Sequence, residues 1–184
     1  MSGSSHRWHM IEDEKLIYQG RVIRLNIERV RLPNQSLAEL EIIHHPGGAA
    51  VLAMDDQQRV CLLYQFRHAA GGWVWELPAG KIDHHEPHFQ TAQRELQEEA
   101  GCHADNWHYL GRYLSSPGVF TEVVHLYLAR ELTMVGHQPE EHEVFSVEWR
   151  PFTEALAMAQ RGEIMDGKTL VALFLAQQHF QHKP

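Results

Sequence analysis

Residues 80–102 read Gly80-Lys-Ile-Asp-His-His-Glu86-Pro-His-Phe-Gln-Thr-Ala-Gln-Arg94-Glu95-Leu96-Gln-Glu98-Glu99-Ala-Gly101-Cys102, and the fold turns on them. Glu95, Glu98 and Glu99 stand at i, i+3 and i+4, spacings that put three carboxylates on one face of a helix. Acids so crowded repel one another unless a cation sits among them. Hard divalent ions such as Mg²⁺ take oxygen ligands of this kind and usually reach a phosphate at the same time. A solvated acidic helix face is the plain alternative. The helix is expected over Pro87–Ala100, with Pro87 at its first position and Gly101 terminating it. Phe89, Ala92, Leu96 and Ala100 form its apolar stripe. The acids lie beside that stripe, at the rim of the core, where a cleft can form. Arg94, four residues before Glu98, is placed to hold them.

Outward from the helix, alternating and apolar runs predict strands at Lys15–Gln19, Val22–Leu32, Ala38–His44, Ala49–Ala53, Val60–Gln65, Trp73–Leu77, Trp107–Leu114, Val123–Ala129 and Phe145–Arg150. Leu32-Pro-Asn-Gln-Ser and Asp55-Asp56-Gln-Gln supply turns, and Pro46-Gly47-Gly48 breaks the chain. Thr153–Arg161 and Thr169–His179 read as helices, the second with Leu170, Leu173, Phe174 and Ala176 on an apolar face. This order predicts an α+β fold, an α/β/α sandwich with a mixed β-sheet between helices and an N-terminal antiparallel β extension. We divide the chain into residues 1–45, the extension, and residues 46–184, the main domain.

The chain of 184 residues suffices for one domain with a real core. A net charge of −8 argues against a nucleic-acid backbone as partner, because such binders show a basic face. It leaves room for a small anionic substrate, since bound cations invert the field of an acidic site. No apolar run is long enough to cross a bilayer, and Met1–Met10 has no signal-peptide core, so a cytoplasmic protein is expected. Cys61 and Cys102, the only two cysteines, sit in apolar segments and read as reduced core residues. Among fifteen histidines, the pairs His44-His45 and His84-His85 are read as turn or surface residues rather than metal ligands.

Residues 80–102 also match, position for position, the signature Gly-x5-Glu-x7-Arg-Glu-U-x-Glu-Glu-x-Gly-U, where U is apolar. The chain thereby resembles the Nudix hydrolase family, whose members cleave nucleoside diphosphates linked to another moiety. Cys102 is the one loose fit, a small thiol where an aliphatic residue is usual. Gln65-Phe66-Arg67, Trp75-Glu76-Leu77-Pro78-Ala79-Gly80, Ser116-Pro117-Gly118 with Glu122, and Gly162–Thr169 resemble the ADP-ribose pyrophosphatase and nucleotide-sugar pyrophosphatase branch. The likeness runs from about residue 14 to 178. It departs at His68-Ala69-Ala70, where an Arg-Pro pair is common after Gln-Tyr/Phe, and at the two histidines inside the box.

The resemblance implies metal-dependent hydrolysis of the diphosphate of a nucleoside diphosphate sugar, with ADP-ribose yielding AMP and ribose 5-phosphate. GDP-mannose or a dinucleotide is the near alternative, and a silent nucleotide-sugar sensor the distant one. Mg²⁺ is the implied cofactor, with Mn²⁺ as a substitute. The implied metal ligands are Glu95, Glu98, Glu99, the Ala79 carbonyl and Glu143. Glu141 is the implied general base, Glu98 its rival, and Arg94 orients the acids. Arg67, Glu76 and Gly80 are implied at the substrate, and Glu86 is read as a helix cap. Trp8, Trp73 and Trp75 are weighed as base-stacking residues, with core or interface positions preferred. A homodimer formed through the N-terminal strands is implied as well.

Overall fold

The computed structural model describes residues 10–83, 86–136 and 144–181. Two units are delimited along the chain, one comprising the segment up to Gly47 together with Ser116–Glu122, the other Gly48–Ser115 and the chain from Val123 on.

The first unit is an antiparallel meander of β1 (Ile11–Gln19), β2 (Arg24–Arg31) and β3 (Leu37–His44), in the order β1-β2-β3. The β2–β3 turn forms as the sequence predicts. Gln35 takes the left-handed conformation at φ 69°, and Asn34 Oδ1 accepts from the Ser36 amide at 3.1 Å. Ser116–Glu122 adds to β3, where Ile43 N–H donates to Val119 O at 2.7 Å and Thr121 N–H to Ile43 O at 2.9 Å. Asn26, Glu28 and Val30 form the buried face of β2, whose period of two is met largely by polar groups. Asn26 Nδ2 donates to Glu14 Oε2 at 2.9 Å, and Glu28 pairs with His44 Nε2 at 2.6 Å. Leu16, Ile17 and Tyr18 of β1 are exposed.

In the second unit, β4 (Gly48–Ala53) runs parallel to β9 (Val123–Met134) at the centre of a mixed sheet ordered β7-β4-β9-β8, with β7 at Ala79–Lys81 and β8 at Cys102–Leu114. A second, antiparallel sheet orders β10 (Phe145–Pro151), β5 (Arg59–Arg67) and β6 (Gly72–Glu76). Every residue of β4 is buried, so its two faces feed two cores. Ala50 and Leu52 pack with Leu62, Leu126, Leu173 and the helices α2 (Phe152–Gln160) and α3 (Gly167–Gln181). Ala49, Val51 and Ala53 pack on the other side with Ala92, Leu96 and Ala100 of α1 (His88–Ala100). Each fully buried leucine here contributes about 1.5–3 kcal/mol. The class is therefore α+β, with helices on both faces of mixed strands, as expected. No described helix is long and apolar enough to cross a membrane.

The element edges depart from the expectation in instructive ways. Pro87 is the N-cap of α1 rather than its first helical residue, while Gly101 ends the helix at φ 66° and donates its N–H to Gln97 O and Leu96 O. β8 starts directly at Cys102, five residues before the predicted edge, and β9 runs on to Met134. β7 is a three-residue strand without β-forming side chains, and pairing with β4 creates it. Phe89 is exposed and meets Trp107 edge-on, so Thr91 rather than Phe89 begins the buried face of α1.

Candidate active site

α1 turns its acids inward more than the stripe reading implies. Glu95 and Glu99 are buried, at 6 % and 1 % exposure, whereas Glu98 is half-buried. An unpaired buried carboxylate is costly, so each must be held. Arg94 Nη1 donates to Glu95 Oε1 at 2.6 Å and to Glu98 Oε2 at 2.9 Å, a clamp across one helical turn. Glu99 Oε2 accepts the Ala79 N–H at 2.7 Å, which joins the helix to the first residue of β7.

Gly80 follows in β7, and its lack of a side chain is what admits Glu95. A Cβ built there would stand 1.8 Å from Glu95 Oε1 and 2.3 Å from its Cδ. The Gly80 backbone does not need a positive φ, so the requirement is for space alone. Gly80 thus serves as the seat of Glu95, one step behind the substrate-binding role expected of it.

Glu86 is no helix cap, since α1 has no side-chain cap. Its carboxylate instead accepts Thr91 Oγ1 at 2.8 Å and Arg94 Nε and Nη2 at 3.3 Å each. Partial burial works against the Glu86 anion, but the Arg94 and Thr91 bonds outweigh it and hold its pKa below the usual carboxylate range. Burial works against Arg94 as well, yet Glu86, Glu95 and Glu98 together push its pKa up. Arg94 is therefore a fixed cation inside the acid cluster.

On the neighbouring sheet, Arg67 makes a two-pronged pair with Glu76, Nε to Oε1 and Nη2 to Oε2, both at 2.8 Å. Lys168 Nζ, absent from the sequence-based site, reaches the same carboxylate at 2.6 Å and Asp166 Oδ1 at 3.0 Å. Burial opposes ionisation of Glu76, but the Arg67 and Lys168 bonds hold its pKa below normal. Asp166 Oδ2 caps the start of α3, accepting the Thr169 amide at 3.0 Å and Thr169 Oγ1 at 2.6 Å. Thr169 Oγ1 in turn accepts the Leu77 N–H at 2.9 Å. The signal for Lys168 was present as Asp166-Gly-Lys-Thr169, a cap that fixes the lysine on the first turn of a helix.

Arg67 and Glu76 are thus brought together and bind each other. Glu95, Glu98 and Glu99 share the α1 face, Ala79 and Gly80 lie against it, and Glu141 and Glu143 are outside the described residues. Among the described residues no three His, Cys, Asp or Glu side chains already converge as a metal cage, because Arg94 stands between Glu95 and Glu98. The donor set is nevertheless all oxygen, buried, and backed by a glycine whose missing Cβ leaves the space Glu95 uses. That chemistry fits a hard divalent cation and not a soft one.

The remaining candidates make other contacts. His44 and His45 are not surface residues: His44 pairs with Glu28, and His45 Nδ1 approaches Glu122 Oε1 at 3.3 Å. Trp75 packs at the edge of the core with Arg150 over its ring at 5.6 Å, and Trp73 is exposed against Tyr64 and Phe66. Trp8, His84 and His85 are outside the described residues. Cys61 and Cys102 are free, buried thiols, as expected.

A profile of the NUDIX domain matches residues 44–172. The ADP-ribose pyrophosphatase of Mycobacterium tuberculosis (strain ATCC 25618 / H37Rv) is 37 % identical over 166 residues, covering 89 % of this chain and 80 % of that protein. The ADP-ribose pyrophosphatase of Bacillus subtilis (strain 168) is 38 % identical over 159 residues, covering 85 % and 86 %. Among solved structures, an ADP compounds hydrolase superposes with a TM-score of 0.80 at 18 % identity, covering 93 % of each chain, a likeness of fold.

Proposed function

The chain belongs to the Nudix family, and on that footing we propose that it hydrolyses the diphosphate bond of a nucleoside diphosphate sugar, ADP-ribose in particular. The observation that carries this is the pair of buried acids, Glu95 and Glu99, held against the Ala79-Gly80 turn by a glycine without room for a side chain. Two ADP-ribose pyrophosphatases, each similar over more than four-fifths of this chain, support the choice of substrate.

Glu95, Glu98, Glu99 and the Ala79 carbonyl would hold Mg²⁺, with Glu143 as a further ligand and Mn²⁺ as a substitute. When bound, the cation supplies charge neutralisation for the diphosphate. The chain's own residues do the rest. Arg94 holds Glu95 and Glu98 in register. Glu76 anchors Arg67 and Lys168 at the rim, two cations suited to the phosphates of an anionic substrate. A water molecule adds to one phosphorus, the bridging oxygen leaves with the other, and a proton passes to a carboxylate, Glu141 by preference or Glu98. AMP and ribose 5-phosphate result. Positioning and charge stabilisation carry most of such a reaction.

The proposal extends to assembly and location. Residues 1–45 act as a dimerisation element, and the exposed Leu16, Ile17 and Tyr18 of β1 support that assignment. The reduced, buried cysteines suit the cytoplasm. The partner is a small molecule, neither nucleic acid nor membrane.

A phosphatase-coupled assay with Mg²⁺ and then Mn²⁺, over ADP-ribose, ADP-glucose, GDP-mannose, NADH and diadenosine polyphosphates, tests the reading. Highest kcat/KM on ADP-ribose is expected. Preference for GDP-mannose would move the substrate, and binding without turnover under either metal would refute catalysis in favour of a sensor.

A further inference from the structure

Gln65 is buried at 3 % exposure, and among the described residues its amide oxygen Oε1 accepts no hydrogen bond. A buried acceptor left empty is costly, so it calls for a partner, and a catalytic role is one that supplies it. β5 places this amide with care. Gln65 pairs with Val74 and Phe145 in the ladder and shares its face with Cys61, Leu63 and Arg67. Leu63 stands opposite Glu76, whose carboxylate grips Arg67. Gln65 thus lies one step along the same face from Arg67, beside the Arg67–Glu76 pair of the cationic rim.

The orphan atom is an acceptor. It cannot take a phosphate oxygen and requires an O–H or N–H donor, and water is the donor that the proposed hydrolysis itself brings. We propose that Gln65 is a positioning residue whose Oε1 accepts one O–H of the water that attacks the diphosphate. This rests on the hydrolase reading above. One proton of the water is held by Gln65 and the other passes to the carboxylate base, so the amide itself gains and loses nothing. The new P–O bond forms as the bridging P–O bond breaks. The amide's contribution is to fix the lone pair of the water toward phosphorus.

Gln65→Met keeps the length and removes the acceptor, and Gln65→Asn keeps an amide but withdraws it by one methylene. The wild type and both variants would be compared for kcat and KM on ADP-ribose with Mg²⁺, for AMP affinity by calorimetry in EDTA, and for melting temperature. The expected result is a kcat lower by about 30–100-fold in Gln65→Met with KM within about threefold. AMP affinity stays unchanged, and the melting temperature is equal or higher because an empty buried acceptor is gone. Gln65→Asn shows the same split should the methionine variant fail to fold. A raised KM or weaker AMP binding with kcat intact would overturn the proposal, placing the amide on the substrate. Unchanged kinetics would overturn it too. An inactive wild type would defeat the hydrolase reading itself, whereas an active wild type with an unaffected variant defeats only the role of Gln65.

Discussion

Replacing Gly80 by alanine adds one carbon and two hydrogens, yet it should nearly silence the enzyme. The new Cβ falls 1.8 Å from Glu95 Oε1, and ordinary contact begins near 3.4 Å, so the carboxylate must retreat by about 1.6 Å. Glu95 can swing, being the far end of a flexible side chain, so the fold survives. The retreat breaks its 2.6 Å bond to Arg94, a charge-assisted contact worth about 1.5–3 kcal/mol when fully buried. Arg94 is 28 % exposed, which lowers the expected loss to about 1–2 kcal/mol. Activity is far more sensitive, because a displacement of about 1 Å at a catalytic group costs on the order of 100-fold. Steady-state kinetics on ADP-ribose with saturating Mg²⁺, paired with urea denaturation, separates the two effects. Gly72→Ala is the control, since nothing lies within 4 Å of a Cβ there. If Gly80→Ala kept more than about a third of wild-type kcat/KM while folded, the seating of Glu95 against Gly80 would be wrong.

Three further outcomes are expected. Glu99→Gln keeps an acceptor for the Ala79 amide but removes the anion, so kcat should drop by about 100–1,000-fold with an unchanged melting temperature; surviving turnover would remove Glu99 from the metal site. Glu76→Ala leaves Lys168 and Arg67 without their shared carboxylate, and Lys168 is only 15 % exposed. A loss of about 2–3 kcal/mol in urea denaturation should follow, and a loss below about 0.5 kcal/mol would show the network is ornamental. The third outcome concerns the stacked rings of His88 and His125, 3.8 Å apart at the start of α1 and bonded to Tyr127 and Tyr109. Burial holds His125 down to about 4 and lowers His88. A depressed histidine favours the neutral folded form, so its contribution is complete above the unfolded value of about 6.5 and declines as pH falls from there toward 4. Melting curves at about pH 7 and about pH 5 should show a larger drop for wild type than for His125→Gln; equal drops would contradict the burial of the pair.

The helix carrying the acids was legible because several local signals agree on it: proline before it, glycine after it, and acids at helical spacing between. The outcome for Glu86 was not, because its partner Arg94 lies eight residues on and a helix start invites a capping assignment. β8 was read late because His103, Asp105 and Asn106 offer no apolar alternation. Only pairing with β9 reveals a strand, interrupted where Tyr109 and Gly111 shift the register. β7 likewise exists through its partner, and no propensity in Ala79-Gly80-Lys81 announces it. Gln65 looked like any strand residue within a recognised motif. It lies where β6 and β10 flank β5, and its burial is tertiary information. Arg67 and Glu76 were both picked for the substrate, but single-residue reading could not disclose that they bind each other.

The bond from Leu77 N–H to Thr169 Oγ1 also sets a timetable. Its two ends are 92 residues apart, as are those of Glu76 and Lys168. A ribosome adding about 5–20 residues per second needs roughly 5–20 s to travel that far. For that interval Ala79 can already meet Glu99 and β4, but Leu77 lacks its bond to Thr169, and Glu76 has Arg67 without Lys168. The site is therefore completed almost last, by contacts of high sequence separation that close slowly. A nascent chain halted before Asp166 would carry all the box acids and still lack the clasp that shapes their cleft.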